Sequence, residues 1–238
     1  MQVKRLFCFI GVLALLAACD VQAQEGKWGL GGFVNYTLPL KKLGDRYDNT
    51  VKYGTTLNYV SSDAVTLEIE YHYSKFDDGK LAAKPFFYAV DNKSYTSPNA
   101  KSTLTFNSLA VNALLFLGED NQSHGFKAKD YRYYLAVGGG FYRYNAVNEN
   151  FVAPYQTTKP IDFTLVMEPQ IDKRTTLAGN VGVGLEAFVT DNLALDVRGR
   201  YNFVLGELRP MLFYGNTDRA RPLQLFDLGV GLKLYFWR

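Results

Sequence analysis

The chain has 238 residues, a length that one β-rich domain commonly fills. Charged residues are 21% of it and aromatics 15%, with 17 Tyr and 17 Phe, and the formal net charge is only +3, so a nucleic-acid partner has no electrostatic footing. No run of 18 apolar residues occurs, so no membrane-spanning helix is expected in the mature chain.

The N-terminus reads as a secretory leader. Lys4 and Arg5 form a positive n-region, and Leu6 to Ala18 an apolar h-region. Residues 1–23 are expected to be a signal peptide, with Val21-Gln22-Ala23 before the cut. A second reading is open, because Leu16-Ala17-Ala18-Cys19 resembles a lipobox in which Cys19 is lipidated. Neither cut leaves a disulfide: Cys8 lies in the leader, and Cys19 is either removed or acylated.

Residues 24–238 are expected to form one domain of eight strands, each alternating apolar and polar residues with a period of two. The first is Trp28–Leu38, with Trp28, Leu30, Val34, Tyr36 and Leu38 on one face. The second is Val51–Val60, with Tyr53, Leu57 and Tyr59 against Lys52, Thr56 and Asn58. The third, Val65–Phe76, alternates most cleanly: Val65, Leu67, Ile69, Tyr71 and Tyr73 oppose Thr66, Glu68, Glu70 and His72. Ser102–Leu117, Tyr131–Tyr144, Leu177–Val189, Leu193–Val204 and Gln224–Phe236 complete the set. Successive strand side chains point to opposite faces, so each segment has one apolar and one polar wall. Repeated in an exported chain, the pattern predicts an antiparallel up-and-down transmembrane β-barrel, apolar outside and polar inside. Such a wall already holds the chain in a bilayer, which favours the cut after Ala23 over an acyl anchor.

Short and long connections alternate. Ser61–Ala64, Gly118–Asp130 and Thr190–Asn192 read as periplasmic turns, two of them tight. Pro39–Thr50, Asp77–Lys101, Asn145–Thr176 and Leu205–Leu223 read as external loops, with both termini periplasmic. Ile161–Val166 could pair as a further strand and give a ten-stranded closure, but Pro154, Pro160 and Pro169 interrupt that stretch.

The inward faces carry Lys52, Glu68, Glu70, His72, Arg132, Glu186, Asp196, Arg198, Arg200, Asp227 and Lys233: five carboxylates, five permanent cations and a histidine. An eight-stranded barrel is just wide enough for its side chains to fill. Ions at that depth must be paired, and near-balanced charge favours a salt-bridged plug over a selective pore. His72 lies two residues from Glu70 and Ser74, which makes it a weak candidate base for acyl transfer; a plug histidine is the preferred reading. His124 falls in a turn, and two histidines without a mature thiol predict no metal site. Asn92-Lys93-Ser94 and Asn121-Gln122-Ser123 match glycosylation sequons by chance. No glycine-rich phosphate loop opens a helix, so no cofactor is expected. The external loops hold Phe86-Phe87-Tyr88, Tyr95, Phe151, Tyr155, Phe163 and Met211-Leu212-Phe213-Tyr214, which either bind a partner, pack on one another or anchor at headgroups.

Asp227–Trp237 resembles the terminal targeting strand of outer-membrane barrels, with Gly229 or Gly231 in the glycine place and Phe236 in the aromatic one, although the chain ends in Arg238. Gly182–Arg198 is similar to a hairpin of the small barrels of the OmpA/OmpW-like superfamily. The resemblance implies the outer membrane of a Gram-negative bacterium, contact with outer-membrane lipids and lipopolysaccharide, and delivery to the barrel-assembly machinery through the C-terminal strand. It is specific for fold and poorly specific for activity. The expectation is a monomeric, non-enzymatic barrel that serves envelope integrity or loop-mediated binding and adhesion. The alternatives are a channel for small apolar solutes and a lipid A acyl-modifying enzyme with His72 as base.

Overall fold

Strands that cross a bilayer must satisfy every backbone polar group internally, and only a closed sheet does so. The computed structural model describes residues 27–77, 79–118 and 131–236. In chain order these form β1 (Lys27–Leu40), β2 (Thr50–Val60), β3 (Val65–Phe76), β4 (Phe86–Tyr88), β5 (Lys93–Tyr95), β6 (Lys101–Phe116), β7 (Tyr131–Glu149), β8 (Gln170–Phe188), β9 (Leu193–Val204) and β10 (Leu223–Phe236). The expected turn 118–130 lies almost wholly outside the described residues. So do the leader with Cys8 and Cys19, the sequon at Asn121, His124, Trp237 and Arg238.

Among the described residues, eight strands close one antiparallel barrel in the order β1-β10-β9-β8-β7-β6-β3-β2. The closure joins β1 to β10, with Trp28 opposite Phe236 and Leu40 opposite Gln224. β4 and β5 form a separate small hairpin in the second external loop. The outward face is apolar on every barrel strand. Leu30, Tyr53, Ile69, Val111, Leu135, Val183, Val197 and Val230, one from each, are 41–59% exposed, which an acyl-chain surrounding accommodates and water does not.

β3 and β9 have the expected bounds, whereas β7 and β8 run further. Pairing continues from Asn145 opposite Lys173 to Asn148 opposite Gln170. This extension mixes Ala146, Val147 and Ile171 with Asn145, Asn148, Asp172 and Lys173, so neither face is consistently apolar and the period-two contrast is lost. Backbone ladders need none, and the hairpin stands clear of the apolar belt. The third loop shrinks to residues 150–169. Within it, Ile161–Val166 does not join the barrel, and a ten-stranded closure is ruled out. The segment instead folds back on its own loop: Ala153 N donates to Leu165 O (2.9 Å) and Met167 N to Phe151 O (2.7 Å).

Candidate functional site

Inside the wall, side chains stack in layers from the periplasmic end outward. The first is apolar and aromatic: Leu114, Phe116, Tyr134 and Ala136 on one side, Val60, Ala194, Tyr235 and Phe188 on the other. The ionic layer follows. Above it lies a second apolar layer of Phe76, Leu104, Phe106, Tyr142, Tyr144, Leu223 and Leu225, which Leu43 and Tyr47 cover from the first loop.

The structure places Lys52, Glu68, Glu70, His72, Arg132, Glu186, Asp196, Arg198, Arg200, Asp227 and Lys233 in this lumen, each no more than 5% exposed. Nine of them form one continuous chain of charge. His72 Nδ1 meets Glu70 at 2.8 Å; Arg200 spans Glu70 and Glu68 at 2.5 Å each; Arg198 reaches Glu70 at 3.2 Å and Asp196 at 2.5 Å. Lys233 then links Asp196 and Glu186 at 3.2 Å each, and Glu186 holds Arg132 at 2.8 Å. Lys52 and Asp227 form a separate pair nearer the outside.

Carboxylates so deep need more than a counter-ion, because lone pairs left unfilled there carry a cost of their own. Uncharged donors fill several of them. Tyr134 donates to Asp196 (2.7 Å), Tyr235 to Glu186 (3.0 Å) and Asn112 to Glu68 (3.1 Å). Thr37 and Asn202 both donate to Asp227 at 2.7 Å. Sequence reasoning missed these partners, although parity alone turns Tyr134, Tyr142 and Tyr235 inward. Cation–ring contacts add to these bonds, with Arg132 3.9 Å from the centroid of Phe116 in the first layer and Arg198 4.7 Å from that of Phe33.

The acyl-transfer geometry is not assembled. Ser108 faces His72 across β6, and Ser74 lies two residues along β3, yet neither hydroxyl bonds the imidazole. The ring instead packs edge-on against Tyr142 at 5.1 Å. Two open clefts lie in the loops. One, of about 480 Å³, is lined by Lys42, Lys80, Lys84 and Asp218, and the other, of about 690 Å³, by Asn99, Lys101, Asn150 and Phe163. Neither includes His72.

The loops have their own core. Leu81, Phe86, Tyr88, Phe151, Val152, Ile161, Met211 and Tyr214 are buried together, drawn from the second, third and fourth loops. The loop aromatics therefore divide: these pack inward, while Phe87, Tyr155, Leu212 and Phe213 are 59–65% exposed. Arg46 clamps the first loop to the fourth, donating to Arg209 O (2.9 Å) and Asp218 O (2.6 Å). Lys42 pairs with Asp218, and that bond holds the Asp218 carboxyl below its usual range. At the centre, Tyr214 OH donates to Val152 O and meets Ser97 Oγ, both at 2.7 Å; burial pushes its phenol up. Tyr214→Phe is expected to loosen this platform by about 1–3 kcal/mol, the cost of stranding buried partners. Faster protease nicking of residues 150–169 in proteoliposomes, with the barrel intact, checks it; unchanged nicking refutes it.

No protein-family model and no curated protein matches the chain. Solved structures do. Neisserial surface protein A is 16% identical with a TM-score of 0.50, and the match covers 90% of this chain and 100% of that one. A major outer membrane protein from Thermus thermophilus is 7% identical with a TM-score of 0.50, over 90% and 100%. The N-terminal β-barrel domain of Pseudomonas aeruginosa OprF is 16% identical with a TM-score of 0.40, over 88% and 100%. At these identities the likeness is one of fold.

Proposed function

We propose that this chain, whose fold is that of the small outer-membrane β-barrels, is a closed, non-enzymatic barrel that holds a rigid binding platform at the surface of a Gram-negative cell. The observation that carries this reading is the contrast between the two ends of its design. The lumen is filled by a paired ionic layer between two apolar ones, while the external loops share a separate core that presents Phe87, Tyr155, Leu212 and Phe213 outward. Rigid exposed aromatics favour adhesion or binding, because little side-chain freedom is lost on contact. In this reading residues 1–23 are removed on export, β10 engages the barrel-assembly machinery, and the barrel works as a monomer. The ion network serves as a structural plug. A channel would need that layer to part, and catalysis at His72 would need a route to a buried ring.

Planar-bilayer recording tests the closed lumen. The purified barrel is expected to give no conductance steps, and vesicles carrying it no faster uptake of small apolar solutes. Regular steps or accelerated uptake would revive the channel. An altered lipid A mass in cells overexpressing the protein would revive the acyl-modifying enzyme.

A further inference from the structure

Outward-facing residues of β7 from Tyr131 to Phe141 mark the height of the apolar belt. The ten-residue separation corresponds to about 33 Å of strand, or about 25 Å along the normal at the usual tilt, which matches the apolar band of an outer-membrane barrel. The next outward residue is Arg143, so its guanidinium reaches headgroup level. Register then places a second cation beside it. Arg143 is opposite Thr175 and Asn145 is opposite Lys173, so Arg143 and Lys173 are diagonal neighbours on one face, roughly 7 Å apart at Cβ. Arg174, opposite the inward-facing Tyr144, turns to the other face and takes no part. Neither Arg143 nor Lys173 makes an ion pair or side-chain hydrogen bond among the described residues. Several other cations of this rim have acid partners: Lys75 with Asp77, Lys80 with Asp48, Arg209 with Asp172. The far wall, β1 and β2, turns out Tyr36 and Tyr53 instead.

A second feature lies directly beneath. Gly139 and Gly179 face each other on the outward wall, with Val111 and Phe203 as the next residues across. Two adjoining positions without side chains leave a notch in the belt, one row below Phe141 and Leu177.

We infer that Arg143 and Lys173 form a phosphate site for a lipid of the outer leaflet whose acyl chain lies in the Gly139–Gly179 notch. The site rests on the membrane placement proposed above. An arginine fork and an adjacent ammonium suit one phosphate group, and strand positions hold them at fixed spacing. A soluble phosphate would meet the same charges but leave the notch empty.

The test is native mass spectrometry of the folded barrel in neutral detergent, titrated in separate arms with diphosphoryl lipid A and with inorganic phosphate. One lipid A is expected to remain bound, with inorganic phosphate failing to displace it at millimolar concentration. R143A/K173A is expected to weaken retention at least tenfold, R143K/K173R to restore most of it, and G179L to weaken it while leaving both cations in place. Unchanged retention in R143A/K173A overturns the site, and displacement by inorganic phosphate overturns its assignment to a lipid. Carbonate extraction of membranes separates the two levels: a chain released by carbonate removes the membrane placement itself, whereas an embedded barrel indifferent to these substitutions removes only the lipid site.

Discussion

Arg200→Ala is expected to lower the unfolding free energy of the barrel by about 3–5 kcal/mol, because it strands two buried carboxylates rather than deleting one contact. Arg200 is 3% exposed and reaches Glu68 and Glu70 at 2.5 Å each. Without it, Glu68 keeps only Arg198 at 3.6 Å and Lys233 at 3.9 Å as ionic partners, and Glu70 keeps Arg198 and His72. No water-filled lumen lies at hand to solvate the excess negative charge, since apolar layers close the ionic one from both sides. Urea unfolding in lipid vesicles, followed through tryptophan fluorescence, gives the midpoint and slope. The companion variant is R200M/E68Q, which removes one charge of each sign at nearly constant volume. It is expected to cost less than the sum of R200M and E68Q, with a coupling of about 1–3 kcal/mol. Strict additivity, or an R200A midpoint indistinguishable from wild type, would mean that water reaches these groups and that the plug is open.

The wall of the barrel was more legible in the sequence than its contents. Period-two alternation locates β3 and β9 to the residue, because both cross between an apolar and an ionic environment along their whole length. It loses the upper halves of β7 and β8 for the opposite reason: buried Asn148 shares the inward face with Ala146, and exposed Ile171 shares the outward face with Lys173, so polar and apolar residues mix on each face and the ladder leaves no mark in the pattern. Parity likewise identifies which charges turn inward. It is silent on partners, since these come from distant strands: Lys233 of β10 meets Glu186 of β8, and Arg200 of β9 meets Glu70 of β3. Pairing across the lumen depends on shear and side-chain reach, neither of which is written locally. The loops were the least legible part. Phe86 and Phe87 are adjacent and chemically identical, yet one is buried in the loop core and the other is 59% exposed. Only the short β4–β5 pairing decides between them.

Gly182→Ala is the second substitution expected to disturb the ionic layer, and it does so without touching a charge. Gly182 points inward opposite Arg200. A Cβ there would lie 2.5 Å from the Gly199 carbonyl oxygen and 2.6 Å from Arg200 Cγ. The carbonyl belongs to the β9 ladder and cannot retreat, so the methyl must displace the strand or the arginine stem. Overpacking of this kind costs about 1–3 kcal/mol. Gly199→Ala is the control one residue away. Its Cβ points to lipid, with nothing nearer than Leu228 Cδ1 at 3.7 Å. Alanine fits there without strain, and the narrower unfolded ensemble is expected to stabilise the barrel by about 0.4–1 kcal/mol. The opposed signs test whether inward glycines exist to house the ions. A sharper version places G182A in the R200A background. Arg200 Cγ is then gone, so part of the glycine's cost should vanish and the double variant should be milder than the sum of the singles. If G182A costs as much beside alanine as beside arginine, the glycine serves the backbone approach of β8 to β9 alone, and the side chain it faces is incidental.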